Sequence, residues 1–372
     1  MIYLDNAATT KPLFAALNQS EKFLEEFYFN PSALYRGGLS VHEKIEDARK
    51  ELLSRFPSGY DAFFTSCGSE GDNTAVFSYA KRGNAVTTAG EHSAVYESFR
   101  ALEKRGISVR YAGLNPDGSV NEEKLLSLID SKTSFVSVVH VNNETGAVND
   151  IDSLAAKAKK INPSLIFHSD GVQAFGKLPY EMTSAVDAYT VSAHKIGGLK
   201  GTGALVYQKK KIPAPLIYGG GQENGRRSGT ENVFGIAVFS EAMKIRLPSV
   251  RVNYERIRKV RDLFLSRLDS ENVEILSGEN SSPYIVSFSA KGLRGEVIQH
   301  MAEDLGVVIG TGSACSSRHR HSRILTECGY SPSVLDGALR VSFCPETEEN
   351  EAVTAAETLN GCISKLKGIM KK

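Results

Sequence analysis

Short apolar runs alternate with amphipathic stretches through the first two thirds of the chain. The runs with the length and apolar content of buried strands are residues 61–66, 84–88, 134–141, 165–169, 188–192 and 203–207. Helical spacing of apolar residues follows several of them, as in residues 73–81, 94–105 and 151–161. Repeated strand–helix–strand units predict an α/β fold with a mainly parallel central sheet flanked by helices.

The pattern changes after about residue 246. Leu247, Pro248 and Ser249 interrupt a long helical pattern, and a charged helical segment follows at residues 254–270. A strand at 284–289, a helix at 295–304 and a final strand and helix complete this region. We therefore predict a large domain spanning residues 12–247 and a smaller α/β domain built from residues 1–11 and 248–372.

Composition narrows the classes of function. Of the 372 residues, 41% are hydrophobic and 23% charged, and the formal net charge is +1. This charge balance gives no reason to expect a nucleic acid or a membrane surface as partner. The sequence has no signal-peptide pattern and no apolar run long enough for a membrane helix. Its five widely spaced cysteines suit reduced thiols. We expect a soluble cytoplasmic protein.

Two polar residues follow predicted strands where open α/β sheets bind ligands. Lys195 lies between a strand and a glycine-rich stretch, and its amine could condense with an aldehyde, which is how pyridoxal 5'-phosphate (PLP) is held. Asp170 ends an apolar strand and could pair with a buried pyridinium nitrogen, with Gln173 within reach of a ring oxygen. Taken alone, Lys195 also fits a surface charge, and Asp170 also fits a helix N-cap.

Two further segments suit the same cofactor. Residues 66–70 (SCGSE) follow a strand and open a helix, which makes them a candidate phosphate site, although an ordinary helix cap built on Ser66 or Ser69 explains them too. His92 lies just past a strand, where it could stack on an aromatic ring or serve a purely structural role.

Motifs along the whole chain resemble those of the cysteine desulfurases, the NifS/IscS-like branch of the class V aminotransferase superfamily, PLP fold type I. They are YLDNAATT at residues 3–10, NPS at 30–32, VNNETG at 141–146, SAHK at 192–195, GGGQE at 219–223, RSGTEN at 227–232, GSACS at 312–316 and LRVSF at 339–343. Eight motifs in the family's order are far more specific than any one of them.

The resemblance implies a role for each matching residue. Lys195 would be the Schiff-base lysine and proton shuttle, and Asn143 and Arg340 would grip the substrate carboxylate. Thr230 would come from the second subunit, so a homodimer is implied. The implied cofactor-binding residues are Gly68, Ser69, His92, Asn143, Asp170, Gln173, Ser192, His194, Lys195 and Thr230; the implied catalytic residues are Lys195, Cys315 and His92. No metal is expected.

Cys315 decides which reaction the cofactor serves. Small and polar residues surround it, as in a surface loop, and the resemblance makes it the thiolate that accepts sulfur as a persulfide while L-cysteine becomes L-alanine. The arginines and histidines at 318–321 could favour a thiolate or could simply be solvated. The sulfur would pass to an acceptor protein, either an iron–sulfur cluster scaffold or a tRNA-thiolation enzyme.

Several positions depart from the family pattern, namely Tyr35, Ser69, Leu199 and Pro345, of which Pro345 raises a question about the loop near Arg340. Other functions stay open: a selenocysteine or cystine lyase that needs no Cys315, a simple aminotransferase, or a docking protein that has lost its chemistry. The roles of Cys67 and Cys344, the choice between cysteine and selenocysteine, and the need for an accessory protein also stay open.

Overall fold

A computed structural model describes residues 1–311 and 321–370. Its strands are β1 (Ile2–Leu4), β2 (Tyr60–Thr65), β3 (Asn84–Thr88), β4 (Ser108–Ala112), β5 (Thr133–Ser137), β6 (Ile166–Asp170), β7 (Ala188–Ser192), β8 (Gly203–Gln208), β9 (Val273–Ile275), β10 (Ile285–Ala290), β11 (Val307–Thr311) and β12 (Ala338–Ser342). Its helices are α1 (Phe14–Ser20), α2 (Lys22–Glu25), α3 (Arg36–Leu53), α4 (Gly68–Tyr79), α5 (Ser93–Lys104), α6 (Glu122–Ser127), α7 (Ile151–Ile161), α8 (Gln222–Gly225), α9 (Val233–Arg246), α10 (Val250–Arg267), α11 (Gly295–Asp304), α12 (Arg323–Glu327), α13 (Pro332–Asp336) and α14 (Glu349–Met370).

The larger sheet has seven strands in the order β2-β8-β7-β6-β5-β3-β4. Its pairings are parallel from β7 to β4 and antiparallel on both sides of β8. Side chains alternate between its faces: Phe63 packs in the apolar cluster that includes Phe99 of α5, whereas Ala62 and Phe64 pack in the cluster that includes Leu52 of α3. Both faces are therefore covered by helices, as the predicted α/β fold requires.

The smaller sheet has five strands in the order β1-β11-β12-β10-β9. Its apolar cluster includes Ile257 and Phe264 of α10, Ile298 of α11 and Leu359 of α14. The predicted interruption near residue 247 is present, because α9 ends at Arg246 and a 3-10 turn precedes α10. The domain limits at 11/12 and 247/248 stay a prediction. Among the described helices, none is both long and apolar enough to cross a membrane.

One predicted strand, 134–141, is shorter in the structure, where β5 ends at Ser137. Beyond that point backbone and side-chain partners alternate. The Val138 and His140 N–H groups still donate to the His168 and Asp170 carbonyls, at 3.1 and 2.9 Å. The Val139 N–H instead donates to the Glu91 carboxylate at 2.9 Å, and the Ser169 hydroxyl donates to the Val138 carbonyl at 2.7 Å. Apolar content alone does not reveal this change of partner.

The site is positioned by one edge of the larger sheet. β2, β3, β6 and β7 run in the same direction, so their carboxyl ends meet at this edge. α4 begins three residues after β2, His92 follows β3, Asp170 ends β6, and Lys195 closes the 3-10 turn after β7. Ligands of open α/β sheets bind at such an edge.

Candidate active site

Lys195 contacts the first residues of the chain. Its Nζ donates to the Ala7 carbonyl at 2.5 Å and to the Ala8 carbonyl at 2.8 Å. β1 belongs to the smaller sheet, so this lysine lies where the larger sheet's edge meets a segment attached to the smaller one. The Gln173 side chain donates from Nε2 to the same Ala7 carbonyl at 2.8 Å. Lys195 and Gln173 are thus brought together through a shared acceptor.

Asp170 is almost wholly buried at the end of β6. Its Oδ1 accepts the Val172 N–H at 2.9 Å, so it caps a turn rather than a helix. Burial raises the pKa of this carboxyl, while His92 and Lys195 act in the opposite direction by favouring the anion. A buried carboxyl that faces cationic or hydrogen-bonding partners suits pairing with a protonated ring nitrogen.

His92 is the N-cap of α5, and its Nδ1 accepts the Ala94 N–H at 3.2 Å. Burial lowers the pKa of His92, Asp170 opposes this, and Lys195 adds to it. The imidazole is therefore neutral near pH 7, with its proton on Nε2. Ligand atoms of His92, Asp170 and Asp72 lie within 4.8 Å of one another, which places an imidazole and two carboxyls around one point.

The start of α4 forms an open cradle. A Cβ at Gly68 would lie 2.8 Å from Val172 Cγ2, so only glycine leaves this approach clear. The Ser192 hydroxyl is buried and has no hydrogen-bond partner among the described residues. Cys67, the N-cap residue, makes no side-chain cap bond, and Glu70 accepts the Ser66 N–H at 2.8 Å. Neither serine caps the helix, which leaves its amino end available to an anion.

His194 and Ser69 lie on either side of this region. The Nδ1 of His194 is 3.0 Å from the Thr9 hydroxyl, and burial, reinforced by Lys195, lowers the pKa of His194 to about 4. A neutral imidazole acts here as a hydrogen-bonding group rather than a cation. Ser69, in the first turn of α4, is exposed.

The predicted carboxylate clamp already has partners within the chain. Arg340 Nη2 bonds Asp5 Oδ1 at 2.7 Å, and Nη1 donates to the Asn143 carbonyl at 2.9 Å. Arg340 Nε and Asn143 Oδ1 are buried polar atoms without a partner in the described part of the chain. Next to them, burial raises the pKa of Glu144 to about 7, and the Ser322 hydroxyl, which donates to this carboxyl, lowers it.

Of the predicted site residues that the structure describes, Thr230 is not brought together with Lys195, Asp170 and His92. Thr230 is exposed and lines a surface hollow with Ser66 and Glu223. Cys315 lies outside the described residues. Cys344, by contrast, borders a small cavity together with Lys195 and Pro345, and burial raises the pKa of its thiol.

The loop that contains Pro345 is a closed turn. The Cys344 N–H donates to the Thr347 hydroxyl at 3.0 Å, and the Thr347 N–H donates to the Cys344 carbonyl at 2.9 Å. Proline in this turn leaves Arg340 on β12 with both of its partners.

The residues present fit PLP. A lysine amine, a buried carboxyl, a neutral imidazole, a helix start opened by glycine and a buried hydroxyl lacking a described partner converge at one sheet edge. These are the groups that an aldehyde, a ring nitrogen, an aromatic face and a phosphate require. The fit rests on this donor set.

Sequence reasoning missed three residues beside the site. Asp72 lies one turn into α4, Lys177 lies four residues after Gln173, and Arg323 donates from Nη2 to the Glu91 carbonyl at 2.6 Å while its guanidinium lies 3.8 Å from the ring centroid of Tyr96. The spacing of Asp72, four residues after Gly68, could have placed it on the same buried face of α4 as that glycine. No local signal points to Arg323, because its partners are more than 200 residues away.

Comparison with known proteins places this architecture in a family. The class-V aminotransferase family model matches residues 2–354. A cysteine desulfurase of a Nostoc species is 32% identical, over 99% of this chain and 94% of the relative. The cysteine desulfurase IscS of Dictyoglomus turgidum is 33% identical, over 99% and 96%. A solved NifS-like protein superposes with a TM-score of 0.91 at 31% identity, over 98% of this chain and 99% of that one.

The chain therefore belongs to the class-V aminotransferase family. Within it, the chain is similar over its full length to proteins named cysteine desulfurase, and its fold is that of the NifS-like proteins. The fold class and the resemblance predicted from the sequence motifs are both confirmed.

Proposed function

We propose that the chain is a PLP-dependent cysteine desulfurase that converts L-cysteine to L-alanine and transfers the sulfur to Cys315 as a persulfide. The observation that carries the proposal is the convergence of Lys195, Asp170 and His92 at one sheet edge in a chain with full-length similarity to cysteine desulfurases. When bound, PLP supplies an electron sink for bond breaking at the substrate amino acid.

The protein groups divide this work. The Lys195 amine would hold the cofactor and, when free, would move the substrate's α-proton at Nζ. The Asp170 carboxylate would pair with the ring nitrogen, and the His92 imidazole would lie against the ring. Gly68, Ser69, Ser192 and His194 would hold the phosphate. This assignment is supported by the open cradle at Gly68 and the partnerless Ser192 hydroxyl among the described residues.

On the substrate side, Arg340 binds the carboxylate through its planar fork, with Asn143 beside it. Binding requires Arg340 to exchange at least part of its contact with Asp5 for the substrate. The Cys315 thiolate would then form a bond to the substrate sulfur as the carbon–sulfur bond breaks. The electron pair of that bond would stay on the carbon, which would take up a proton, and the carbon skeleton would leave as alanine.

The test measures both products at once. Purified protein loaded with PLP is incubated with L-cysteine and a reductant, and sulfide and alanine are quantified for the wild type and for Cys315→Ala. We expect equal amounts of the two products from the wild type and neither from the variant. Cys362→Ala, a buried thiol in α14, is the matched control.

Three outcomes contradict the proposal. Pyruvate in place of alanine indicates elimination rather than desulfuration. Full sulfur release by Cys315→Ala indicates a lyase of the selenocysteine or cystine type. A protein that binds no PLP at all is a docking protein rather than an enzyme of this class.

We also propose a cytoplasmic homodimer that delivers sulfur to an iron–sulfur scaffold or a tRNA-thiolation enzyme. The dimer is supported by large apolar side chains that are exposed on the single chain, among them Leu34, Tyr35 and Tyr218. Thr230, also exposed, would reach the partner's phosphate site. Sedimentation of Tyr218→Ser against wild type tests the interface, and a monomeric wild type contradicts it.

A further inference from the structure

Lys177 is a second lysine buried beside the site. Only 4% of its surface is exposed, and its Nζ donates to Gln173 Oε1 at 2.9 Å. It has no carboxylate partner among the described residues. A buried lysine without a counter-anion destabilises the fold. Its position next to the site therefore suggests a function there.

The Gln173 amide is held from both ends. Its Oε1 accepts from Lys177, and its Nε2 donates to the Ala7 carbonyl at 2.8 Å. An ammonium group only donates and a carbonyl only accepts, so the two neighbours together exclude the flipped amide. The flipped form would set the NH2 group against the ammonium and Oε1 against the Ala7 oxygen. The second N–H of Gln173 therefore has a fixed direction.

Three cations and two neutral groups face Lys177. Lys195 and the neutral imidazole of His194 face it from the turn after β7, Arg246 from α9, Arg340 from β12, and the Cys344 thiol from the turn beyond β12. Burial, reinforced by Lys195, lowers the pKa of Lys177 to about 7. Below that pKa its ammonium donates to the Gln173 oxygen, and no carboxylate pairs with it among the described residues.

We propose that Lys177 is a positioning residue that acts through Gln173: it fixes the amide so that an N–H, and not the oxygen, is presented to the phenolic oxygen of the cofactor. The inference rests on the proposed function, because it requires PLP at the Lys195 edge. Without Lys177 the Gln173 amide can flip, and Oε1 would then face the phenolic oxygen of the cofactor.

The test compares Lys177→Met, Gln173→Leu and the double variant. PLP dissociation constants are measured by fluorescence titration, and the pH midpoint of the cofactor's visible absorbance change is measured for each protein. We expect about five- to tenfold weaker binding for Lys177→Met, the worth of one hydrogen bond, and a raised midpoint. We expect the double variant to match Gln173→Leu in PLP binding, because the proposed action of Lys177 passes through Gln173.

Lys159→Met is the matched control: Lys159 is also largely buried, but it pairs with Asp187, which keeps Lys211 after the change. Thermal unfolding of the cofactor-free proteins checks folding. Lys177→Arg keeps a donor and is expected to bind PLP within about twofold of the wild type, as a retained hydrogen bond implies.

Three results overturn the inference. The first is unchanged binding and midpoint in Lys177→Met. The second is a double variant whose loss is the product of the single losses. The third is a Lys177→Arg variant as weak as Lys177→Met, which assigns the effect to packing. A wild type that binds no PLP overturns the proposed function itself. This failure differs from a failure of the inference, because the wild type and Lys159→Met then both lack PLP.

Discussion

The two sides of the site differ in how far they are organised within the chain. On the cofactor side, Asp170, His92 and Gln173 each have a partner that fixes their orientation: the Val172 N–H, the Ala94 N–H, and the pair formed by Lys177 and the Ala7 carbonyl. On the substrate side, Arg340 is bonded to Asp5, and its Nε has no partner among the described residues. One side is set before any ligand binds, and the other must exchange a bond.

This difference matches the work of each side. A cofactor stays bound through many turnovers, so its site can be held in one arrangement by fixed hydrogen-bond partners. A substrate enters and leaves at every turnover, and an arginine held by an internal carboxylate remains satisfied between turnovers while staying exchangeable. The comparison predicts that changes on the cofactor side alter cofactor binding and chemistry, whereas changes on the substrate side alter KM.

The largest effect is expected for Lys195→Ala. Loss of the amine removes both the covalent link and the group that moves the α-proton, so turnover should fall at least about 1000-fold. Sulfide release from L-cysteine measures it, with Lys210→Ala, an exposed lysine after β8, as control. If Lys195→Ala kept a tenth of the activity, Lys195 would take no part in the chemical step.

Arg340→Lys should reduce kcat/KM for L-cysteine about 100-fold, since lysine keeps the charge but lacks the planar fork that binds a carboxylate through two hydrogen bonds. The PLP dissociation constant should stay unchanged, because Arg340 belongs to the substrate side. Arg256→Lys on α10 is the control; Arg256 Nη1 donates to the Thr347 carbonyl at 2.9 Å. An equal loss of PLP affinity would break the division between the two sides.

Glu91→Gln tests the buried cofactor side through stability. Burial raises the pKa of Glu91 from 4.5 to about 8. Between those values the folded protein binds a proton that the unfolded chain does not, so this residue makes stability fall as pH rises. Glu91→Gln cannot ionise and lacks that loss. Its free energy of unfolding should therefore rise relative to that of the wild type by about 1.4 kcal/mol per pH unit over this window.

Urea unfolding of the cofactor-free proteins at pH 5, 6, 7 and 8 measures the difference. Glu123→Gln, an exposed residue in the first turn of α6, is the control and should run parallel to the wild type. Parallel curves for Glu91→Gln as well would show that this carboxyl is ionised in the folded protein.

The smallest effect is expected for Asp5→Asn. Asp5 competes with the substrate carboxylate for Arg340, and removing its charge should lower KM about threefold, the worth of one weak hydrogen bond. Steady-state kinetics with L-cysteine measures it, at constant PLP affinity. A higher KM would mean that Asp5 holds Arg340 in its productive position, which would extend the fixed organisation of the cofactor side to the substrate side.

The sequence predicts the larger sheet well where strands are buried on both faces. β3 and β7 begin and end at the predicted residues because polar or turn-forming residues flank their apolar runs. β4 was missed because it is a half-exposed edge strand that contains Ser108 and Arg110. The apolar content of residues 134–141 predicts one strand. In the structure the side chains of Glu91 and Ser169 form hydrogen bonds with the backbone of Val139 and Val138, beyond the end of β5.

Within the site, residues next to a strand end can be predicted from the sequence. Contacts between residues that lie far apart in sequence cannot. Asp170 and Lys195 follow strands that the sequence already shows, so their place at the sheet edge could be predicted. The Ala7 carbonyl that joins Lys195 to Gln173 is more than 160 residues from either in sequence. Backbone acceptors carry no residue signature, and pairings over such distances depend on the assembled fold.

The contacts of the N-terminal segment set an order on how the site is made. Asn6 donates to the Ser342 carbonyl, 336 residues away, and Arg340 bonds Asp5 across 335 residues. During synthesis, the contacts of Asp5 and Asn6 wait for β12, whereas Gln173 and His194 can hold Ala7 and Thr9 as soon as β7 and the turn after it have been made. A ribosome-bound chain shorter than about 340 residues therefore carries Lys195 and its carbonyl acceptors but not Arg340, and the substrate carboxylate site is the last part of the site to be made.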